Sequence, residues 1–205
     1  MTDARTHWDN VYATKDSTQV SWYQPHSTRS FDLIERFVPD RDAAILDVGG
    51  GASMLADDLL SAGYTALTVL DVSTRALETA QHRLGAAAGR VTWQVADITR
   101  VELPPGSLGL WHDRAVFHFL TDPAQRQGYV AALLNALKPG GFVIIATFAP
   151  DGPTHCSGLE VARYSAAEIQ AVLGDSFTLV ESVNEIHRTP GGADQRFVYA
   201  CCLRR

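Results

Sequence analysis

Three aspartates recur about 25 residues apart, and each closes a short apolar run: Asp47 in Ile45-Leu46-Asp47-Val48, Asp71 in Val69-Leu70-Asp71, and Asp97 in Val95-Ala96-Asp97. The first run leads at once into Gly49-Gly50-Gly51-Ala52-Ser53. Consecutive glycines let the chain turn tightly and bring its backbone against a ligand, with no Cβ in the way. An acid just ahead of such a loop suits a ligand with a positively charged amino acid end. An acid closing the next strand can accept hydrogen bonds from both hydroxyls of a ribose. Asp97, with Ile98 beside it, can accept from an adenine amino group. Each feature also has a plainer use: a tight turn, a helix N-terminal acid and a loop cap. The recurrence is what points to one ligand edge, a cradle for a nucleoside bearing an amino acid tail. A dinucleotide loop would read G-x-G-x-x-G, with a small last residue for close helix packing. Counting from Gly49, that position is Met54.

A second polar cluster sits in Trp111-His112-Asp113-Arg114-Ala115-Val116-Phe117-His118. The apolar run before it ends at Trp111, so His112 and Asp113 are expected just past a strand, beside the reacting group. A neutral histidine there can take a proton from a hydroxyl, thiol or ammonium; equally, it can be a hydrogen-bonded structural residue. Asp113 with Arg114 reads as an ion pair or as a substrate clamp, and a guanidinium suits an anionic partner. His118, between Phe117 and Phe119, reads as a core histidine. His155 and Cys156 are adjacent but have no C-x-x-C or H-x-x-x-H spacing, so no metal site is expected.

These residues need elements to hold them. Apolar runs at Ala43–Val48, Ala66–Leu70, Val91–Val95, Leu108–Trp111 and Phe142–Phe148 read as strands buried on both faces. Helical patterns lie between several of them, over Ser53–Ala62, Thr74–Ala87 and Thr121–Leu137, the last stopped by Lys138-Pro139-Gly140-Gly141. Five such alternations imply a parallel sheet with helices on both sides. Ser165-Ala-Ala-Glu168 predicts a capping box opening a helix through Leu173. Phe177–Val183 and Gln195–Leu203 then follow with no helix between them, so they pair antiparallel. Cys201 and Cys202 fall one on each face of the last strand.

The chain has 205 residues, 46% of them apolar and 20% charged, with a net charge of −6. That is one domain with a full core. A basic footprint for nucleic acid is missing, and no apolar run reaches the length of a membrane span. The start, MTDARTHWDN, lacks a secretory pattern, and three cysteines make a poor disulfide framework. A cytoplasmic protein with reduced thiols is the expectation.

From Ile45 to Leu203 the chain resembles the class I S-adenosylmethionine-dependent methyltransferases. The resemblance rests on ILDVGGG, LDVS, VADI and LKPGGFVIIATF, and on the terminal strand pair. It implies a Rossmann-like, doubly wound α/β fold with a mostly parallel seven-stranded sheet closed by that C-terminal antiparallel hairpin. It also implies S-adenosylmethionine as cofactor and S-adenosylhomocysteine as product. Asp47, Gly49 and Gly51 would hold the methionine part, with Gly50 and Ser53 in the same cofactor-binding loop, Asp71 the ribose, Val72 the adenine face, and Asp97 with Ile98 its edge. The family often has glycine where Ser53 stands and an acid where Gly109 stands. Residues 1–25 would fold over the cofactor as a lid, with Trp22 and Tyr23 either shielding the sulfonium or anchoring the segment. The Asp113-Arg114-Ala115 stretch is similar to thiopurine- and tellurite-type methyltransferases and, in part, to protein-lysine methyltransferases. A small-molecule acceptor leads, with protein lysine as the alternative. A nicotinamide-dependent oxidoreductase is disfavoured by Met54 and the hairpin, and an inactive binding subunit by the intact loop and acids. Gly49→Val is expected to abolish cofactor binding without unfolding the chain.

Overall fold

Ile45–Val48 is buried at every position and forms β1 at the centre of the sheet. In a computed structural model describing residues 4–205, it lies between β2 (Leu67–Asp71) and β4 (Leu108–Arg114), parallel to both. β3 (Val91–Val95) pairs parallel with β2, and β5 (Leu137–Phe148) parallel with β4. β9 (Asp194–Arg204) runs antiparallel between β5 and β8 (Phe177–Arg188). The order is therefore β3-β2-β1-β4-β5-β9-β8. The expected seven-stranded, mostly parallel sheet with its terminal antiparallel pair is present, and the order reverses between β1 and β4, where such sheets bind ligands. The first three residues of the expected 1–25 segment lie outside the described residues.

Before β1 come α1 (Ala4–Thr14) and α2 (Thr28–Phe37), neither of them expected. α3 (Leu55–Ser61) and α4 (Thr74–Leu84) follow β1 and β2, both shorter than expected. The chain leaves α4 at Gly85 in a 3₁₀ segment, Gly85–Arg90, rather than continuing through the alanines. Residues 96–107 cross from β3 to β4 with no helix, so one of the five alternations is helix-free. α5 (Pro123–Ala136) has Asp122 as its cap, the side chain accepting from the Ala124 N–H at 2.8 Å, and Pro123 in its first turn. The Lys138–Gly141 stretch does not separate α5 from a later strand. It forms an irregular start to β5, with Leu108 opposite Leu137 and Leu110 opposite Phe142. α6 (Ala166–Leu173) opens with the expected capping box, Ser165 and Glu168 bonding reciprocally. A short hairpin, β6 (His155–Cys156) and β7 (Leu159–Glu160), follows β5.

Two apolar clusters fill the faces of the sheet. Trp111, Tyr129, Ile145 and Cys202 belong to one, and Ile45, Leu110, Ile144 and Cys201 to the other. Alternation along β4 thus sends His112 toward the α2 and α3 side and Asp113 toward α5. None of the described helices is long and apolar enough to cross a membrane.

Candidate active site

The turn after β1 is shaped for close approach. Gly49 and Gly51 have φ of 63° and 44°, the left-handed region that glycine enters without strain. A Cβ on Gly51 would stand 2.8 Å from Asp71 Oδ2, so glycine keeps the space before that carboxylate open. A Cβ on Gly49 would run into the side chain of Val116. The expectation for Gly49→Val is corrected here: a branched side chain at a positive φ, pressed against Val116, costs folding stability as well as any ligand contact. α3 has only seven residues, with Met54 as its N-cap, and the Ser53 hydroxyl just before it accepts from the Leu55 N–H at 3.1 Å.

Two neighbouring cavities open along this edge. The narrower, about 50 Å³, is bordered by Asp47, Gly49, Gly50, Ser53, Tyr23 and His112. The wider, about 220 Å³, has Asp71, Val72, Asp97 and Ile98 at one end and Phe119, Phe148, Cys156 and Phe197 at the other. Tyr12, Trp22, Val48, Gly49 and Arg114 border both. The structure therefore brings together every residue assigned to the cofactor except Gly51, which lies behind the lining and sets the space before Asp71.

Asp47 is buried, and its Oδ1 bonds His112 Nδ1 at 2.7 Å. The other ring nitrogen, Nε2, bonds Ser30 Oγ at 2.9 Å. Both nitrogens of His112 are thus engaged. With Asp47 ionised, Nδ1–H donates to the carboxylate and Nε2 accepts from the serine. His112 orients Asp47, whose Oδ2 lies over Gly50. Asp71 Oδ1 accepts from the Ser73 N–H at 2.8 Å. Burial pushes the Asp71 carboxyl up to about 7, against that bond, with Asp47 and Asp9 adding to the rise. Asp97 Oδ1 takes up the Thr99 N–H and hydroxyl at 2.9 and 2.7 Å, so it caps its loop as well as bordering the chamber.

The polar cluster divides. His112, Asp113 and Arg114 lie within β4, not past it. Asp113 is fully buried on the far face, where it accepts from the Val116 and Phe117 N–H groups and from the Tyr129 hydroxyl. Burial raises its pKa to about 6, with those donors opposing. It neither borders the cavities nor pairs with Arg114, so the expected Asp113–Arg114 pair or clamp is corrected. Arg114 instead faces Glu185 at 3.8 Å, donates to Tyr199 Oη at 3.2 Å and to the Trp22 carbonyl at 3.3 Å, and stacks on Phe197. His118 is a core residue, as read: Nδ1 accepts from the Phe148 N–H at 3.4 Å, and burial drives its pKa down to about 3.

Sequence reasoning missed Ser30 and the aromatic wall. Ser30 lies in a helix that was not recognised. Phe119, Phe148 and Phe197 sit in runs indistinguishable from core until their neighbours are known.

Residues 45–141 match a family model described as a methyltransferase domain. A ubiquinone biosynthesis O-methyltransferase of Paracidovorax citrulli is 30% identical over 71% of this chain and 55% of its own length. The EEF1A lysine methyltransferase 2 of Danio rerio is 27% identical over 70% of this chain and 67% of its own. The chain spans about half the length of the first of these relatives. A solved structure of 1,6-didemethyltoxoflavin-N1-methyltransferase from Burkholderia thailandensis, with its namesake compound and S-adenosylhomocysteine bound, superposes with a TM-score of 0.69. It is 17% identical and covers 98% of this chain and 84% of that one. The match places residues 45–141 in the methyltransferase-domain family, and the sheet order and glycine turn agree with the Rossmann-like fold of the class I S-adenosylmethionine-dependent methyltransferases. The residues fit that cofactor: buried Asp47 for an ammonium, the space that Gly51 leaves before Asp71 for a diol, and Val72, Asp97 and Ile98 around an apolar recess.

Proposed function

We propose that this chain transfers a methyl group from S-adenosylmethionine to a small-molecule acceptor. One observation carries the reading. A narrow acid-lined cavity and a wide aromatic chamber lie side by side, with Gly49, Trp22 and Arg114 bordering both. The cofactor supplies an electrophilic methyl carbon; this chain's residues bind, align and exclude water. Asp47, oriented by His112 and Ser30, holds the amino group, and the turn Gly49–Ser53 passes beneath it. Asp71 takes the ribose hydroxyls, Val72 covers one adenine face, and Asp97 with Ile98 takes its edge. Trp22 and Tyr23, with α1 above them, form a lid over this shared border. The relatives named for O- and N-methylation of small compounds support this acceptor class.

Calorimetry with S-adenosylhomocysteine, followed by an acceptor screen with a labelled methyl donor and mass spectrometry, tests the reading. Binding of the nucleoside and methylation of a small compound are expected; no affinity for the nucleoside would sink it. A protein-lysine acceptor is the second reading, favoured by the likeness to the Danio rerio enzyme. It predicts labelling of one partner protein in a lysate.

A further inference from the structure

Arg114 is the one cationic side chain bordering either cavity among the described residues. Its side chain is only 10% exposed, and Nη2 has no hydrogen-bond acceptor. Glu185 stands 3.8 Å away, beyond hydrogen-bonding distance, and its Oε2 is already taken by the Tyr199 hydroxyl at 3.0 Å. A buried guanidinium with an idle donor is costly unless an acceptor completes it. It lies on Phe197, and the chamber it borders is also walled by Phe119, Phe148 and Trp22.

Among the described residues, the chamber also lacks a group placed to take a proton. Both nitrogens of His112 are engaged, and Asp113 faces the other side of the sheet. His118 lies behind Phe119 and Phe148 and does not border the chamber. Burial raises the Cys156 thiol and the Tyr12 hydroxyl, which keeps both neutral. Asp71 and Asp97 stand at the opposite end. An acceptor that arrives protonated would find no base.

Resting on the methyltransferase reading, we infer that the acceptor is a planar aromatic compound whose nucleophile is an anionic oxygen, held against the guanidinium of Arg114 where that side chain borders the chamber. The oxyanion's lone pair forms the new C–O bond while the electron pair of the broken C–S bond stays on sulfur. An anion and a sulfonium become a neutral ether and a neutral thioether, and no proton moves. Arg114 then does two things: it selects the ionised acceptor, and it lowers the acceptor's pKa so that the ionised form dominates. A lysine ammonium would meet a like charge at the same place.

The test uses the full chain saturated with S-adenosylhomocysteine and two probes, 4-nitrophenol and its unionisable counterpart 4-nitrotoluene. Absorbance reports nitrophenolate directly. Bound 4-nitrophenol should ionise about 1–3 pH units lower than in water, the shift a close opposite charge produces. At pH 8 it should bind at least about tenfold tighter than 4-nitrotoluene. Arg114→Gln should abolish the shift and the preference, and Arg114→Lys should restore part of both, with nucleoside affinity as the check on folding. An unshifted ionisation, equal binding of the two probes, or no binding of 4-nitrophenol overturns the inference, and the wild-type protein alone decides among these. If S-adenosylhomocysteine itself does not bind, the methyltransferase reading falls too; if it binds and the probes fail, only the acceptor class falls.

Discussion

Asp71 shows how one buried side chain couples ligand binding to pH. Its carboxyl is pushed up to about 7, first by burial. A diol donates two hydrogen bonds, and an ionised carboxylate accepts both; the protonated form spends one oxygen on its own proton. Under the proposed role of Asp71 at the ribose, ligand binding would favour the ionised form and release a proton below about pH 7. Affinity for S-adenosylhomocysteine is expected to rise between about pH 5.5 and 7 and to level off above. Calorimetry in buffers of different ionisation enthalpy should show close to one proton released near pH 6. Asp71→Asn should bind about 1.5–3 kcal/mol more weakly at pH 8, the scale of hydrogen bonds to a charged group, and lose the dependence over this window. A wild-type affinity flat across that range would remove Asp71 from the ribose.

At the scale of the element, β4 is where sequence and structure part most. A run of polar residues at 112–114 looks like the end of a strand, because a central strand buries both faces. β4 continues because tertiary partners satisfy those groups: Asp47 and Ser30 for His112, Tyr129 and two backbone amides for Asp113, Tyr199 and the Trp22 carbonyl for Arg114. Such partners lie 65 and 82 positions away for His112 and are invisible to local pattern. Strands β1, β2, β3 and β5 and the terminal pair were legible, since continuous apolar runs carry their own signal. The glycine turn and the strand-end acids were legible for the same reason. α2 was not, although Ser30, Leu33 and Ile34 bury one side of it. β6 and β7, two residues each, are too short for any periodicity to register. Asp113 also holds the exit of β4, where Ala115 takes a φ of 72°. Asp113→Ala would strand the Val116 and Phe117 N–H groups and the Tyr129 hydroxyl in a dry core. A loss of about 3 kcal/mol or more is expected by denaturant titration. A variant as stable as wild type would show that these donors find other partners.

Across the whole molecule, the N-terminal segment fastens on both sides of the central strands β1 and β4. On the β2 side, Asp9 accepts from the Ser73 hydroxyl at 2.7 Å and the Arg75 N–H at 3.3 Å, at the start of α4. On the β8 side, His187 Nε2–H donates to the Ser21 carbonyl at 2.8 Å. Between them, Trp8 packs edge-on against Trp22 and Phe119, and the Trp22 indole N–H donates to Tyr12 Oη at 3.3 Å. Ala4, Trp8 and Tyr12 recur every four residues, so one face of α1 roofs the chamber. On the proposed reading, a nucleoside seated beneath that face would leave only when α1 lifts, and lifting α1 would break the Asp9 contacts. Their strength then enters the dissociation rate. Asp9→Ala, which touches neither cavity lining, should release S-adenosylhomocysteine at least about tenfold faster, the factor matching roughly 1.4 kcal/mol and the low end for charge-assisted bonds. Tryptophan fluorescence in stopped flow reads this directly, through Trp8 and Trp22. Amide exchange over residues 4–14 should slow when the nucleoside binds wild type and slow less in the variant. An unchanged dissociation rate would mean that the ligand has another way out and that α1 is a fixed wall rather than a lid.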